Sequence, residues 1–364
     1  MALGHANDFL VYWQAGRDLV HEGWVAVYDI STLTPFKYHP AFAIGFAPWG
    51  LLPALAARIL WAALHGALVF DLQRRWSTAW GLDAAAIGMG FLGVAHALTW
   101  QVKFGNVTFV MLWLWTMAVT TAVPWRRAAG YAMLIALKPY WLVLGVPWAF
   151  GRRWRLAGQV AAGLVLVSLL PLLLGPSGFV EAYDRWFATF ADPAHAHNYP
   201  KTDNQGWYGL LARHEATLGA SLPWLWLAGS GLVALLWLAA WWKRRATHAG
   251  QEELAARELT TIPLFLWASP LSWIHHQLLL WPLMAWLWRT GRSRRPVRGA
   301  WLGTWVLLNG LTQAILGRPL SRVFLKAGVP LAAFPLLTWV GGRALAGEMA
   351  SGTSASGSHA ELGS

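Results

Sequence analysis

Lys138 stands inside an apolar stretch, MLIALKPYWLVLG, where a positive charge is expensive. At membrane depth a lysine costs at least about 2.5 kcal/mol on insertion scales, so it normally has a partner or a function. Snorkelling to an interface or a structural ion pair is the plainer alternative. Lys103 and Lys201 lie in short polar turns, where a lysine needs no special explanation. His275 and His276 follow the SPLSW interruption of a second apolar stretch. Neighbours on a helix point about 100° apart, so one ring can face a cavity while the other packs against protein. A neutral imidazole can bond a hydroxyl, and a charged one can stabilise an anion. Asn204 and Gln205 offer paired donors and acceptors, which suit hydroxyl groups and equally suit helix capping. Tyr12 and Tyr38 could form a stacking surface or serve as interface anchors.

Carboxylates are few and unevenly placed. The stretches 1–40 and 176–221 hold Asp8, Asp18, Glu22, Asp29, Glu181, Asp184, Asp192, Asp203 and Glu215, more than half of all 16 acidic residues. From position alone Asp8 reads as the cap of a helix that starts near Phe9. Asp18 and Glu22, four apart, read as a solvated helix face, and Asp29 as a residue that bonds its own turn. No cysteine is present, which removes disulfides and thiolate chemistry together. The histidines offer no HExxH spacing, and His195 and His197 sit in a loop, so no metal site is expected. No cofactor is implied.

The elements that must carry these residues are membrane helices. The 364 residues are 57% hydrophobic and 12% charged, half the charge of an ordinary soluble domain. The 28 tryptophans and the clustered Lys and Arg fit the belts and anchors of two interfaces. The net charge of +12 is gathered at the ends of apolar runs, facing lipid headgroups, and not along a polar face that would bind nucleic acid. The lipid bilayer is therefore a partner, and nucleic acid is not. Runs of about 20 apolar residues can span. They occur at 54–70, 82–100, 107–123, 156–175, 222–242, 300–317 and 329–346, while 41–52 reads as an interfacial or re-entrant helix. Putting the basic clusters on the cytoplasmic side leaves 129–150 and 259–288 with basic flanks at both ends. Lys138-Pro139 and Ser269-Pro270 break these two, which predicts hairpins whose apices line a site. The expected fold is all-α, a polytopic transmembrane bundle with re-entrant and broken helices. It forms one domain over 1–346, followed by a disordered Gly, Ser and Ala-rich tail over 347–364.

Five strings occur in an order that resembles glycosyltransferase family 87, within the C-type superfamily of lipid-linked sugar transferases. They are NDFLVYWQAGRDLVHEGWVAVYD with PFKYHPAFAIGFAPWGLLP, then FGNVTFVMLWLW, ALKPYWLVLGVPWAFGRRWR, DNQGWYGLLAR and SPLSWIHHQLLLWP, spanning about residues 7 to 285. The resemblance implies transfer of a hexose, often mannose, from a polyprenyl-phosphate donor to a lipid-linked glycan acceptor. It implies a plasma-membrane enzyme acting on the extracytoplasmic side. It also maps the family's catalytic carboxylate onto Asp8 of DFLVY, and its polar loop motif onto Asn204 and Gln205. A carboxylate in that place can take the proton of an attacking hydroxyl from the side opposite the leaving phosphate, as in an inverting displacement. Lys138 and one of His275 or His276 would then hold the phosphate.

Two departures stand out. Relatives carry a spanning helix before this aspartate, so a first helix is expected upstream of Met1. The loop reads YHP where relatives commonly read YPP, which points to His39 as a modifier of acceptor recognition. The rival class is a lipid or solute transporter, which also uses broken helices and buried charge. Polar residues gathered on one predicted side argue against it.

Overall fold

The computed structural model describes residues 8–31, 35–191, 198–242 and 251–345. The described residues are helical, with one isolated bridge between Asn204 and Trp273. The basic run 243–245, His195, His197 and the tail 347–364 lie outside them.

Among the described residues three helices are long and apolar enough to cross a membrane: Ala54–Trp80, Trp154–Leu174 and Glu215–Trp241. Two sharply bent pairs raise the number to five, Ala84–Gly93 with Ala95–Phe104 at 74°, and Gln313–Lys326 with Val329–Leu345 at 63°. Helix Ala54–Trp80 leaves Leu55, Ile59 and Phe70 outward, a surface made for lipid and not for water. The run 82–100 is thus a bent pair and not the straight span its hydropathy suggests. The run 107–123 supplies only the 13-residue helix Thr108–Thr120. The run 300–317 is cut by a π-helical turn at Val306–Gly310. Hydropathy reports burial in an apolar medium, not straightness, and buried broken helices satisfy it equally well. The re-entrant reading of 41–52 corresponds to the short helix Pro40–Gly50. Both proline breaks are present: Pro124–Leu137 stops at Lys138, and Gln251–Ala268 stops before Ser269.

The chain forms two compact units. The first draws on Met1–Arg75, Thr99–Leu142 and Trp154–His197. Helix Asp8–His21 buries Phe9, Tyr12, Ala15 and Gly16, an i, i+3, i+7 stripe, against Pro40–Gly50. The two backbones touch. A Cβ on Gly16 would collide with the Phe46 carbonyl, and one on Gly50 with the Arg17 amide. Trp13 Nε1 donates to the Leu52 carbonyl at 2.9 Å and closes the crossing. Helix Pro124–Leu137 packs on Thr108–Thr120 and on Trp154–Ser168 through Gly130 and Gly163, the small-residue contacts that let apolar helices approach.

His39 ties this unit together. It caps helix Pro40–Gly50 by accepting the Ala41 N–H at Nδ1, 3.2 Å away. The proton of the neutral ring therefore sits on Nε2, which donates to the Tyr183 hydroxyl at 3.0 Å, with Ser168 Oγ at 3.3 Å. Tyr183 in turn donates to the Ser168 carbonyl at 2.7 Å. The histidine of YHP is thus a buried strut between the loop and helix Pro176–Ala191. Burial pulls its pKa down to about 4.

The second unit draws on Trp76–Leu98, Val143–Arg153 and Asn198–Ser364. Its bend at Gly93 is held by Asn309, whose amide donates to the Gly93 carbonyl at 2.8 Å and accepts the His96 N–H at 2.9 Å. Trp237 and Trp241 both donate to Thr260 Oγ1, at 3.1 and 3.0 Å, and join helix Leu222–Trp241 to Gln251–Ala268. Arg257, fully buried, pairs with Glu253 at 2.5 Å beneath the rings of Phe150 and Trp241.

Replacing Asn309 by leucine removes both bonds at the bend. A loss of about 2 kcal/mol of stability is expected, read as a lower thermal midpoint in detergent. An unmoved midpoint would refute the role given to this side chain. His39, protonated more easily unfolded than folded, contributes stability that is complete above pH 6.5 and fades as the pH falls towards 4. His39→Asn keeps a capping acceptor, so its stability should depend less on pH across that window, by about 2 kcal/mol. Parallel melting curves of the two proteins from pH 7 to 4.5 would count against this.

Candidate active site

The first unit brings Asp8, Tyr12, Tyr38 and Lys138 together. Asp8 opens helix Asp8–His21, and its Oδ2 accepts the side-chain amide of Asn106 at 2.7 Å. The same Asn106 Nδ2 reaches the Tyr12 hydroxyl at 3.2 Å, and Tyr12 and Tyr38 share a hydroxyl–hydroxyl bond of 2.8 Å. Tyr12 stacks on Phe46 and meets Tyr38 edge-on. The tyrosines are nearly inaccessible, so they wall the site and hold no open stacking face. Tyr28 donates to the Tyr38 carbonyl at 2.8 Å and fixes that wall from behind.

Lys138 is where the helix Pro124–Leu137 ends. Its backbone is extended, with φ −146° and ψ 106°, because Pro139 disfavours helical geometry in the residue before it. The half-buried side chain reaches Tyr38, with Nζ 4.1 Å from the ring centroid, a cation–π distance. Its charge also acts on Asp8. Burial pushes the Asp8 carboxyl up from its ordinary value, against the Asn106 hydrogen bond and the Lys138 charge, which both pull it down. The result is a carboxylate more basic than a solvated one, next to a cation on a constrained stem. That pair can accept a proton and neutralise an anion.

The other acids of the amino-terminal stretch do simpler work. Asp18 accepts from Gln14 at 2.5 Å on the same helix, Glu22 is exposed, and Asp29 accepts the Ser31 N–H at 2.9 Å in its own turn. Asn106 is the site residue that sequence reasoning passed over. Its signal was the FGNVTF string, read there only as a family match.

Asn204, Gln205, His275 and His276 belong to the second unit. Asn204 stitches the broken segment after Ala268. It donates to the carbonyls of Pro270 and Tyr199, at 2.8 and 3.0 Å, and accepts the N–H groups of Ser272 and Gly206, at 2.8 and 3.3 Å. Its amide is thus engaged by protein at both ends. Gly206 is required beside it, since a Cβ there would strike the Ser269 carbonyl. Gln205 donates to the Thr202 carbonyl, its buried Oε1 has no hydrogen-bond partner, and the residue lines a small cavity with His96, Gln277 and Thr312. His275 and His276 are buried on a 3₁₀ turn, their rings edge to face at 4.6 Å. Among the described residues no three His, Asp or Glu side chains converge as metal ligands would.

Curated relatives and a family profile match the chain. A polyprenol-phosphate-mannose-dependent alpha-(1-2)-phosphatidylinositol pentamannoside mannosyltransferase of Mycolicibacterium smegmatis is 30% identical over 304 residues, 78% of this chain and 67% of its own. A polyprenol-phosphate-mannose-dependent alpha-(1-2)-phosphatidylinositol mannoside mannosyltransferase of Mycobacterium tuberculosis is 28% identical over 310 residues, 80% of this chain and 70% of its own. No solved structure matches. The sequence profile of glycosyltransferase family 87 matches residues 36–270, well over half of the chain. The chain therefore belongs to glycosyltransferase family 87 and is a membrane glycosyltransferase.

Proposed function

We propose that this enzyme transfers a mannosyl group from a polyprenyl-monophosphate donor to a lipid-linked glycan of the phosphatidylinositol mannoside kind, with inversion, at the extracytoplasmic face of the plasma membrane. The observation that carries the reading is the Asp8–Asn106–Lys138 constellation, a partly buried carboxylate whose basicity is raised beside a lysine held at a helix break. The names of the relatives support the donor and the acceptor class.

In this reaction the acceptor oxygen attacks the anomeric carbon and forms the new glycosidic bond. The bond from that carbon to the donor phosphate breaks, and its electron pair leaves on the phosphate oxygen. Asp8 takes the acceptor's hydroxyl proton, which becomes acidic only as the new bond forms. Lys138 meets the growing charge on the leaving phosphate, an interaction stronger in the transition state than in the ground state. An apolar setting strengthens that attraction, because little solvent screens it. For Asn204 the geometry supports a positioning role, since its amide is spent on the backbone. For Gln205, and for one of His275 and His276, we keep a role in holding substrate. The rule that basic clusters face the cytoplasm supports the outward placement of the Asp8 loop.

Asp8→Asn, folded and expressed as the parent, should lower transfer from a radiolabelled polyprenyl-phosphate mannose by about 10²–10⁴-fold. Undiminished transfer would remove Asp8 from the reaction. Lys138→Gln should lower kcat by about 10²-fold while leaving the acceptor KM unchanged. An unchanged kcat would remove Lys138 from the leaving-group side of the reaction.

A further inference from the structure

Asn106 lies on the turn Gly105–Val107 between helices Ala95–Phe104 and Thr108–Thr120, held through its backbone carbonyl and both ends of its side-chain amide. Its backbone carbonyl accepts from Gln101 Nε2, and Gln101 is fully buried. Its side-chain Oδ1 accepts from the hydroxyl of Thr108 at 2.8 Å. An ionised carboxylate only accepts, so Asp8 fixes which end of the amide is nitrogen, and the Thr108 hydroxyl donates to the oxygen at the other end. The NH₂ is left to face Asp8 at 2.7 Å and Tyr12 at 3.2 Å. The turn itself is rigid. Gly105 takes φ 63°, Trp61 Nε1 donates to its carbonyl at 2.8 Å, and a Cβ there would stand 3.0 Å from that of Phe9, the residue after Asp8.

We infer that Asn106, held at its other end by Thr108, is the positioning residue that aims the Asp8 carboxylate, leaving its second oxygen as the one that receives the acceptor's proton. An amide NH₂ fastened to one carboxylate oxygen restricts rotation about the carboxyl bond and occupies one of the two oxygens. A flipped amide would present its carbonyl to the carboxylate, which repels it, and the Thr108 hydroxyl anchors the far end of the amide so that its NH₂ stays in place. The titratable groups facing Asp8 are Tyr12, Tyr38 and Lys138, and none of the three donates the bond that Asn106 makes. The inference rests on Asp8 being the base.

The test compares Asp8→Asn, Asn106→Ala, Thr108→Val and Thr108→Ser in purified full-length enzyme, with steady-state transfer measured from pH 5 to 9. Losing a hydrogen bond to the ionised carboxylate should move the acidic limb of the kcat/KM profile of Asn106→Ala upward by about one pH unit. Its kcat should fall about tenfold or more, with donor KM little changed. Thr108→Val, nearly the same shape without the hydroxyl, should move in the same direction to a smaller extent, and Thr108→Ser should restore the parent profile. Loss of rate in Asn106→Ala and Thr108→Val with an unmoved limb, or no rescue by serine, would overturn the inference and leave Asn106 a packing residue. Should Asn106→Ala fail to fold, the Thr108 pair decides by the same criterion. Full activity in Asp8→Asn is the separate result that strikes down the base assignment itself.

Discussion

A broken helix in an apolar interior leaves backbone groups that water cannot reach, and each has to find a partner within the protein. An unpaired buried amide or carbonyl costs about 1–3 kcal/mol, so a fold with several breaks must supply matching side chains. This chain does so with side-chain amides. Asn309 bridges the bend at Gly93 and Asn204 closes the gap after Ala268, while the related amide of Gln101 takes the Asn106 carbonyl in the turn before Thr108. Each side chain carries a donor and an acceptor, so one residue can serve both ends of an interruption. Lys138, part of the proposed site, stands at one such break.

Holding such breaks in place falls to close helix contacts. The crossing of Gly16 with the Phe46 carbonyl and of Gly50 with the Arg17 amide fixes helix Asp8–His21 on its neighbour. In the other unit Gly90 lies against Ala285, where an added Cβ would stand only 2.6 Å from the Ala285 Cβ, and Gly93 lies against Met284. Apolar association has no driving force between helices in lipid, so backbone proximity and hydrogen bonds must provide it. Tryptophan indoles add directional bonds where such contacts end, as Trp281 does to the Ile87 carbonyl at 3.0 Å.

Much of this was legible beforehand, and the reasons differ by element. Composition and apolar length gave the membrane class, and the Lys138-Pro139 and Ser269-Pro270 pairs marked the two breaks because proline cannot continue a helix. Lys138 was visible as a charge in the wrong solvent and Asp8 through the DFLVY resemblance, and the structure brings them into one unit. The bend at Gly93 was not visible, since glycine in an apolar run carries no local sign of which distant side chain will receive its carbonyl. Asn106 was hidden for the same reason: its partner is 98 positions away. The role of His39 was read as recognition, yet the cap it makes is a local signal, a ring acceptor directly before the Pro40 that starts a helix.

The glycine crossing bears on how tolerant helix Asp8–His21 is of drift. Asp8 sits eight residues before Gly16, about 12 Å along the axis, so the contact lies near the middle of the helix and acts as its fulcrum. Any bulk that pried the two helices apart there would tilt the helix and displace the Asp8 carboxylate at its end. A substitution two turns away would thus move that carboxylate without touching it, and sequence change is accordingly freer in the loops that flank the helix than along the seam on which it pivots.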